Sequence, residues 1–244
     1  MRTIRIHIDS PLSEHGSTVL EGQPAEHLVR VLRQEVGAQV VLFNGDGHDY
    51  AATITAIERR QVQLQIAGRH SPGNESPLRL TLAQGIARGE KMDLIIQKAC
   101  ELGVAEIVPL HTERSEVKLD EKRSAKRLEH WQAVAISAAE QSGRAVVPVI
   151  HPARPLATWL GSLPTEGPLR LSLSPGGEQR LRQLQLPASG AMLMVGPEGG
   201  LGERDLEALD GKGFQRLQLG PRILRTETAG LAAAAALQAV HGDF

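Results

Sequence analysis

The chain has 244 residues, 41% of them hydrophobic and 2% aromatic, and a formal net charge of −1. That is apolar matter enough for one large or two modest domains with cores of Leu, Ile, Val and Ala. The near-neutral balance excludes a global basic field, so a polyanion is met only by local patches. A single cysteine, Cys100, excludes an intrachain disulfide framework and a cysteine zinc site and suits a reducing cytoplasm; the nine histidines form no HExxH or comparable spacing, so no metal is expected.

The opening MRTIRIHIDS is not a signal-peptide block: Ile4, Ile6 and Ile8 alternate with Arg5 and His7, the mark of a half-buried strand. Pro24 to Val36 predicts a helix, with Pro near its start, Leu28, Val31 and Leu32 on one face, Arg30 and Arg33 on the same helix, and Gly37 at its end. Three strand candidates follow: GAQVVLFN, YAATITAI and QVQLQIA. Gly45-Asp46-Gly47 supplies the first turn. Short strands with little helix predict a small β-barrel. RHSPGNESP, Arg69 to Pro77, reads as a linker, which places the domains at 1–70 and 76–244.

Beyond the linker the grammar changes. Strand LRLTLAQ precedes helix KMDLIIQKACEL; strand AEIVPL precedes a charged segment and a long helix from Arg123 to Gln141; VVPVI, a short helix near Leu156 to Leu160, LRLSL, AMLMV and FQRLQL follow. A βα series predicts an α/β domain, a mostly parallel sheet with helices on both faces. The run Ala232 to Ala236 suits a close-packed final helix. No apolar run reaches the roughly 18 residues of a membrane helix, so no membrane partner is expected.

Two loops carry the chemistry. GPEGG, Gly196 to Gly200, leaves strand AMLMV and enters a helix predicted from Glu203 to Leu209. Its glycines allow close backbone approach, and free N–H groups at a helix start favour an anionic or acceptor group. LGPRILRTETAG, Leu219 to Gly230, follows FQRLQL. Backbone groups of Gly220 to Leu224 suit an adenine edge, Ile223 and Leu224 its face, and Arg225 a phosphate or a developing anion; Thr226 or Thr228 suits a helix cap. Against these stand plainer readings, a tight turn and a pair of surface cations. Neither GxGxxG nor GxxxxGK[ST] is present, which speaks against a dinucleotide or P-loop enzyme. In RGEKMDLIIQKACELGV, Arg88 and Lys91 stand where a strand turns into a helix, as phosphate contacts or as a solvated helix start; Cys100 reads as core. Glu113-Arg114-Ser115 leads into Lys118 to Arg127, a run with five cations, and AAEQSGR, Ala138 to Arg144, gives the long helix a polar end that faces a partner subunit or substrate, or is a capped, solvated end.

ARGEKMDLIIQKACELGV, PLHTERSEV, AAEQSGR, VGPEGG and LGPRILRTETA together resemble the RsmE-like small-subunit ribosomal RNA uracil-N3 methyltransferases of the SPOUT class, and HLVRVLRQEVGAQVVLFNGDG is similar to that family's PUA-like RNA-binding domain. The resemblance covers nearly the whole chain. It implies a C-terminal domain with a deep trefoil knot, an N-terminal PUA-like barrel, a homodimer, and 16S rRNA of the small subunit as substrate. It implies S-adenosylmethionine against Gly196, Pro197, Glu198, Gly199 and Gly200, and against Leu219, Gly220, Ile223, Leu224, Arg225, Thr226, Thr228 and Ala229. Under it Arg225 stabilises the uracil anion, Glu198, Glu227 or water takes the N3 proton, and Glu198 is alternatively a loop brace. Arg30, Arg33, Arg88, Lys91 and Arg114 grip phosphates. The chain departs from the family pattern at Cys100, where Thr is common, at His130, where Arg is common, and at Gly202, a helix start often filled by Ser or Thr. Rival readings are a methyltransferase acting on another RNA or base and a binding-only assembly factor.

Overall fold

The computed structural model describes residues 3–116 and 121–244. The chain divides into two compact units, Met1–Glu75 with Ile136–Val147, and Ser76–Ala135 with Pro148–Phe244.

In the first unit β1 (Arg5–His7), β2 (Gly16–Glu21), β3 (Gln39–Phe43), β4 (Asp49–Ile57) and β5 (Gln61–His70) form one sheet in the order β1-β3-β4-β5-β2. The two-residue period of a strand puts Val40 and Leu42, Tyr50, Ala52 and Ile54, and Val62, Leu64 and Ile66 on the core face, with Ile6 and Leu20 beside them. Register shifts at Ala51/Ala52 and Ile54/Ala56 bend β4. At the expected turn Gly45 and Gly47 take φ of 87° and 86°, and the Asp46 carboxylate accepts from His48 N at 2.9 Å and Tyr50 Oη at 2.6 Å. β2 escapes the sequence reading because its one buried apolar residue is Leu20.

The helix expected from Pro24 to Val36 is shorter and of another kind. α1 (Gly22–Glu26) passes into a π-helical turn, His27–Val31, where Leu32 N reaches back to His27 O at 2.9 Å. The wider turn rotates Val31 off the core face, leaving it 65% exposed while Leu28 is buried. Arg33 stands past the end with φ 52°, so Arg30 and Arg33 do not share a helix.

Residues 136–147 complete this unit through polar contacts. Arg5 pairs with buried Asp49 and donates to Arg144 O at 3.0 Å; His7 N donates to Glu140 at 2.9 Å; Arg144, 4% exposed, pairs with Glu75 at 2.7 Å. At the polar end of the long helix, Glu140 and Arg144 are therefore engaged inside their own unit.

The second unit has an eight-stranded sheet of parallel pairs. Its strands are β6 (Leu80–Gly85), β7 (Glu106–His111), β8 (Val149–Ile150), β9 (Arg154–Pro155), β10 (Leu169–Leu173), β11 (Gln179–Arg180), β12 (Ala191–Val195) and β13 (Gln215–Gln218), ordered β11-β13-β10-β12-β6-β7-β8, with β9 also on β7. Its helices are α2 (Glu90–Glu101), α3 (Glu121–Ser142, passing out of this unit after Ala135), α4 (Leu156–Ser162), α5 (Glu203–Asp210) and α6 (Thr226–His241). Every residue of β6 and β12 is buried, as befits strands covered on both faces. On one face Met192 and Met194 pack with Trp159, Leu160, Leu209 and Phe214; on the other, α6 lies so close that a Cβ at Gly230 would sit 3.2 Å from Leu82 and from Val195. Cys100 is buried, as expected of a core residue.

A pocket at the carboxyl edge of the parallel sheet

Parallel strands discharge their loops at one edge, and a ligand binds there where the chain order reverses. Here the reversal lies at β6 and β12, neighbours in the sheet but far apart in sequence. A cavity of about 510 Å³ opens at that edge. Its walls come from Leu173 at the end of β10 with Ser174 and Pro175 after it, the loop after β12, and residues between Leu217 and Ala229. The volume suits a nucleotide-sized ligand.

GPEGG forms one wall. The turn is tight: a Cβ on Gly196 would stand 2.8 Å from Gly200 C, Gly200 takes φ 72°, and Gly200 N donates to Pro197 O at 2.8 Å. Glu198 braces it from within. Its carboxylate accepts Arg88 N at 3.0 Å and lies 3.3 Å from Lys91 Nζ. Burial pushes the Glu198 carboxyl up, but the N–H groups of Arg88 and of Glu198 itself, together with Lys91, outweigh it and hold the group below the usual carboxylate range. Arg114 Nη1 donates to Gly199 O at 3.1 Å.

The start of α5 is held differently from the cap the sequence suggests. Buried Asp205 accepts Gly202 N at 3.1 Å and Glu113 N at 3.0 Å, and a Cβ at Gly202 would run into the Glu113 carboxylate. Glu113 occupies the room that a Ser or Thr would need.

The opposite wall is open. Gly220 to Ile223 and Arg225 are exposed, Ile223 to 84%. α6 begins with Arg225 as its N-cap in extended conformation, without a side-chain cap, so neither Thr226 nor Thr228 caps it. Thr226 instead donates its hydroxyl to Gly196 O at 2.6 Å. Glu227, in the first turn, lies 3.5 Å from Lys91 Nζ, and its Oε2 is buried without a hydrogen bond among the described residues.

The sequence-expected residues therefore gather at one place, with exceptions. Gly196, Pro197, Glu198, Gly200, Leu219, Gly220, Ile223, Leu224, Arg225, Thr226, Glu227 and Ala229 line the cavity; Gly199 and Thr228 do not. Lys91 and Arg114 line it too, with their cationic groups on Glu198, Glu227 and Gly199 O. The side chain of Arg88 pairs with Glu116. Arg30, near Glu26 at 3.7 Å, and Arg33 belong to the first unit. Of the basic run Lys118 to Arg127, residues 118–120 lie outside the described residues. His130 Nε2 lies 2.8 Å from Asp93 Oδ2, a pair that suits His where Arg is common.

Val195, Leu201, Leu206, Leu217 and Gln218 also line the cavity without having been singled out, and one stretch of wall, Leu173, Ser174 and Pro175, was not expected at all. The signal was there: LRLSL runs into Ser-Pro-Gly-Gly, a third breaker-rich loop leaving a parallel strand. Among the described residues no group of His, Cys, Asp or Glu could hold a metal, and no helix is long and apolar enough to cross a membrane.

Residues 74–238 match the family described as RNA methyltransferase domain, and residues 20–67 match an RNA methyltransferase PUA domain. Ribosomal RNA small subunit methyltransferase E of Bacillus subtilis is 32% identical over 93% of this chain and 91% of its own length. The crystal structure of a ribosomal RNA small subunit methyltransferase E from Neisseria gonorrhoeae bound to S-adenosyl methionine superimposes with a TM-score of 0.93 at 39% identity, covering 100% of both chains. A Legionella pneumophila protein in complex with the cofactor SAM gives 0.94 at 39% identity, again over 100% of both chains.

Proposed function

The chain belongs to the RNA methyltransferase family that includes the ribosomal RNA small subunit methyltransferases E, and on that footing we propose that it transfers a methyl group from S-adenosylmethionine to N3 of one uridine in 16S rRNA. The observation that carries the reading is the cavity between Gly196–Gly200 and Leu217–Ala229, in a chain alike over its whole length to a methyltransferase solved with S-adenosylmethionine. The residues present fit that group. A glycine turn offers backbone to a polar ligand, Leu173, Leu217, Leu219 and Leu224 offer apolar walls, and Gly220 to Leu224 offer backbone groups for an adenine edge.

When bound, the sulfonium supplies an electrophilic methyl carbon. Uracil N3 holds a proton and becomes a nucleophile only as that proton leaves. As the N3–C bond forms, the C–S bond breaks and its electron pair stays on sulfur. Arg225, exposed at the start of α6, stabilises the negative charge that spreads to the uracil oxygens. Glu198 is the loop brace, since backbone and Lys91 already occupy its carboxylate. Glu227 lines the cavity, and its Oε2 has no hydrogen bond among the described residues, with Lys91 Nζ 3.5 Å away; it is the acceptor for the N3 proton. Lys91 and Arg114 shape the pocket, and Arg30 and Arg33 remain the phosphate contacts.

In this reading the enzyme is cytoplasmic, works as a homodimer on the small subunit, and threads the chain around Gly196 and Thr226 as a trefoil knot. The test is methyl transfer from labelled S-adenosylmethionine to small subunits from a strain lacking the enzyme, read by nucleoside mass spectrometry. The expected product is 3-methyluridine. A different methylated nucleoside would move the target, and neither product nor cofactor binding would return the chain to an RNA-binding role.

A further inference from the structure

Gln84, the residue before Gly85 at the end of strand β6, is 0% exposed. A buried primary amide needs partners; its Oε1 has no hydrogen bond among the described residues, and the partners of its Nε2 lie beside the cofactor cavity. Nε2 donates to Thr226 Oγ1 at 2.9 Å and to Gly85 O at 2.9 Å, and stands 3.5 Å from Gly196 O. Thr226 Oγ1 in turn donates to Gly196 O at 2.6 Å. One amide thus ties the end of β6, the end of β12 and the first residue of α6. Gly85 removes the obstacle to this closeness: a Cβ there would stand 2.6 Å from Pro197 Cδ and 2.7 Å from Pro197 N. Thr226 lines the cavity while Gln84 does not, so the amide acts without touching a ligand.

We propose that Gln84 is a positioning residue: through Thr226 it fixes the Gly196 carbonyl and the first turn of α6 in the arrangement that binds the cofactor. The Thr226 hydroxyl then works as a link between two walls, with its hydrogen bonds directed into the protein. The proposal rests on the cavity being the S-adenosylmethionine site. Three substitutions separate linking from packing. Gln84→Leu removes the amide, Thr226→Val keeps the shape of threonine without its hydroxyl, and Thr226→Ser keeps the hydroxyl.

Two measurements on each full-length variant test it. Hydrogen exchange of the unliganded protein, read at the amides of residues 198–202, needs no cofactor. Exchange there should speed up about tenfold in Gln84→Leu and Thr226→Val and stay near wild type in Thr226→Ser. Calorimetric titration with S-adenosylmethionine should show about tenfold weaker binding in the first two variants, with turnover at saturating cofactor within about threefold of wild type. The double variant should lose little more than either single one, because each breaks the same link. Unchanged exchange in Thr226→Val, Thr226→Ser as impaired as Thr226→Val, or additive losses would overturn the proposal. Should Gln84→Leu not fold, the Thr226 pair still decides. If wild type shows the protected loop but binds no S-adenosylmethionine, the cofactor reading fails and the link stands as a structural one.

Discussion

The two walls of the cavity are built on opposite plans. Gly196–Gly200 is pinned at nearly every residue: Gly196 O by Thr226, Glu198 by Arg88 N and Lys91, Gly199 O by Arg114, Gly200 N by Pro197 O. Gly220–Ile223 is exposed, and Ile223 projects to solvent at 84%. The contrast divides the labour. A fixed wall has lost its conformational freedom during folding and offers its polar groups without further ordering; an open wall must be ordered as ligand arrives, and that cost reduces affinity. Specificity for the polar parts of a ligand then resides in the first wall, and the chemistry beside exposed Arg225 in the second.

Substitutions can break that division. Arg225→Ala should have the largest effect, lowering kcat about 100-fold while cofactor affinity changes less than about threefold; equal losses in single-turnover rate and calorimetric affinity would place Arg225 on the cofactor instead. Glu198→Gln should do the reverse, weakening cofactor binding about tenfold, since one charge-assisted brace contributes roughly 1.5–3 kcal/mol, with kcat nearly kept. Gly200→Ala forces a side chain to φ 72° and should lower thermal stability by about 1–2 kcal/mol. The effect of pH sharpens the Glu198 comparison. Its folded carboxyl lies below the usual value of 4.5, so the brace contributes fully above that value and is lost as pH falls through the depressed one. Cofactor affinity should hold down to the usual value of 4.5 and drop as pH falls further through the depressed one, and Glu198→Gln should remove that drop. Ile223→Ala should change stability by less than about 0.5 kcal/mol, with a few-fold change in affinity at most, measured by melting and titration.

What the sequence made legible follows the range of each interaction. Alternation in RIHI and VVLF, the βα grammar after Pro77, and the two breaker-rich loops are local signals, and both walls and the strands other than β2, β9 and β11 followed from them. The helix boundary failed because a π turn at His27–Val31 is set by packing of Leu28 and leaves no pattern in HLVRV. Gln84 read as an ordinary polar residue in LRLTLAQ because its partner Thr226 lies 142 residues away. Lys91 and Arg114 read as phosphate contacts, since a charge in the sequence does not show the carboxylate or carbonyl that the fold brings to it. Arg144 is the sharpest case: in AAEQSGR it ends a polar helix, and in the fold it is buried on Glu75.

The sheet order has one more consequence, for synthesis. Leu82 of β6 pairs in register with Leu193 of β12, so the central strands cannot zip until most of the polypeptide has left the ribosome. Such distant pairing makes folding slow. α6, which covers both strands, arrives later still. Until translation nears its end the nascent chain has the early strand without its neighbour or its cover, and that apolar strand is where a chaperone would be expected to bind.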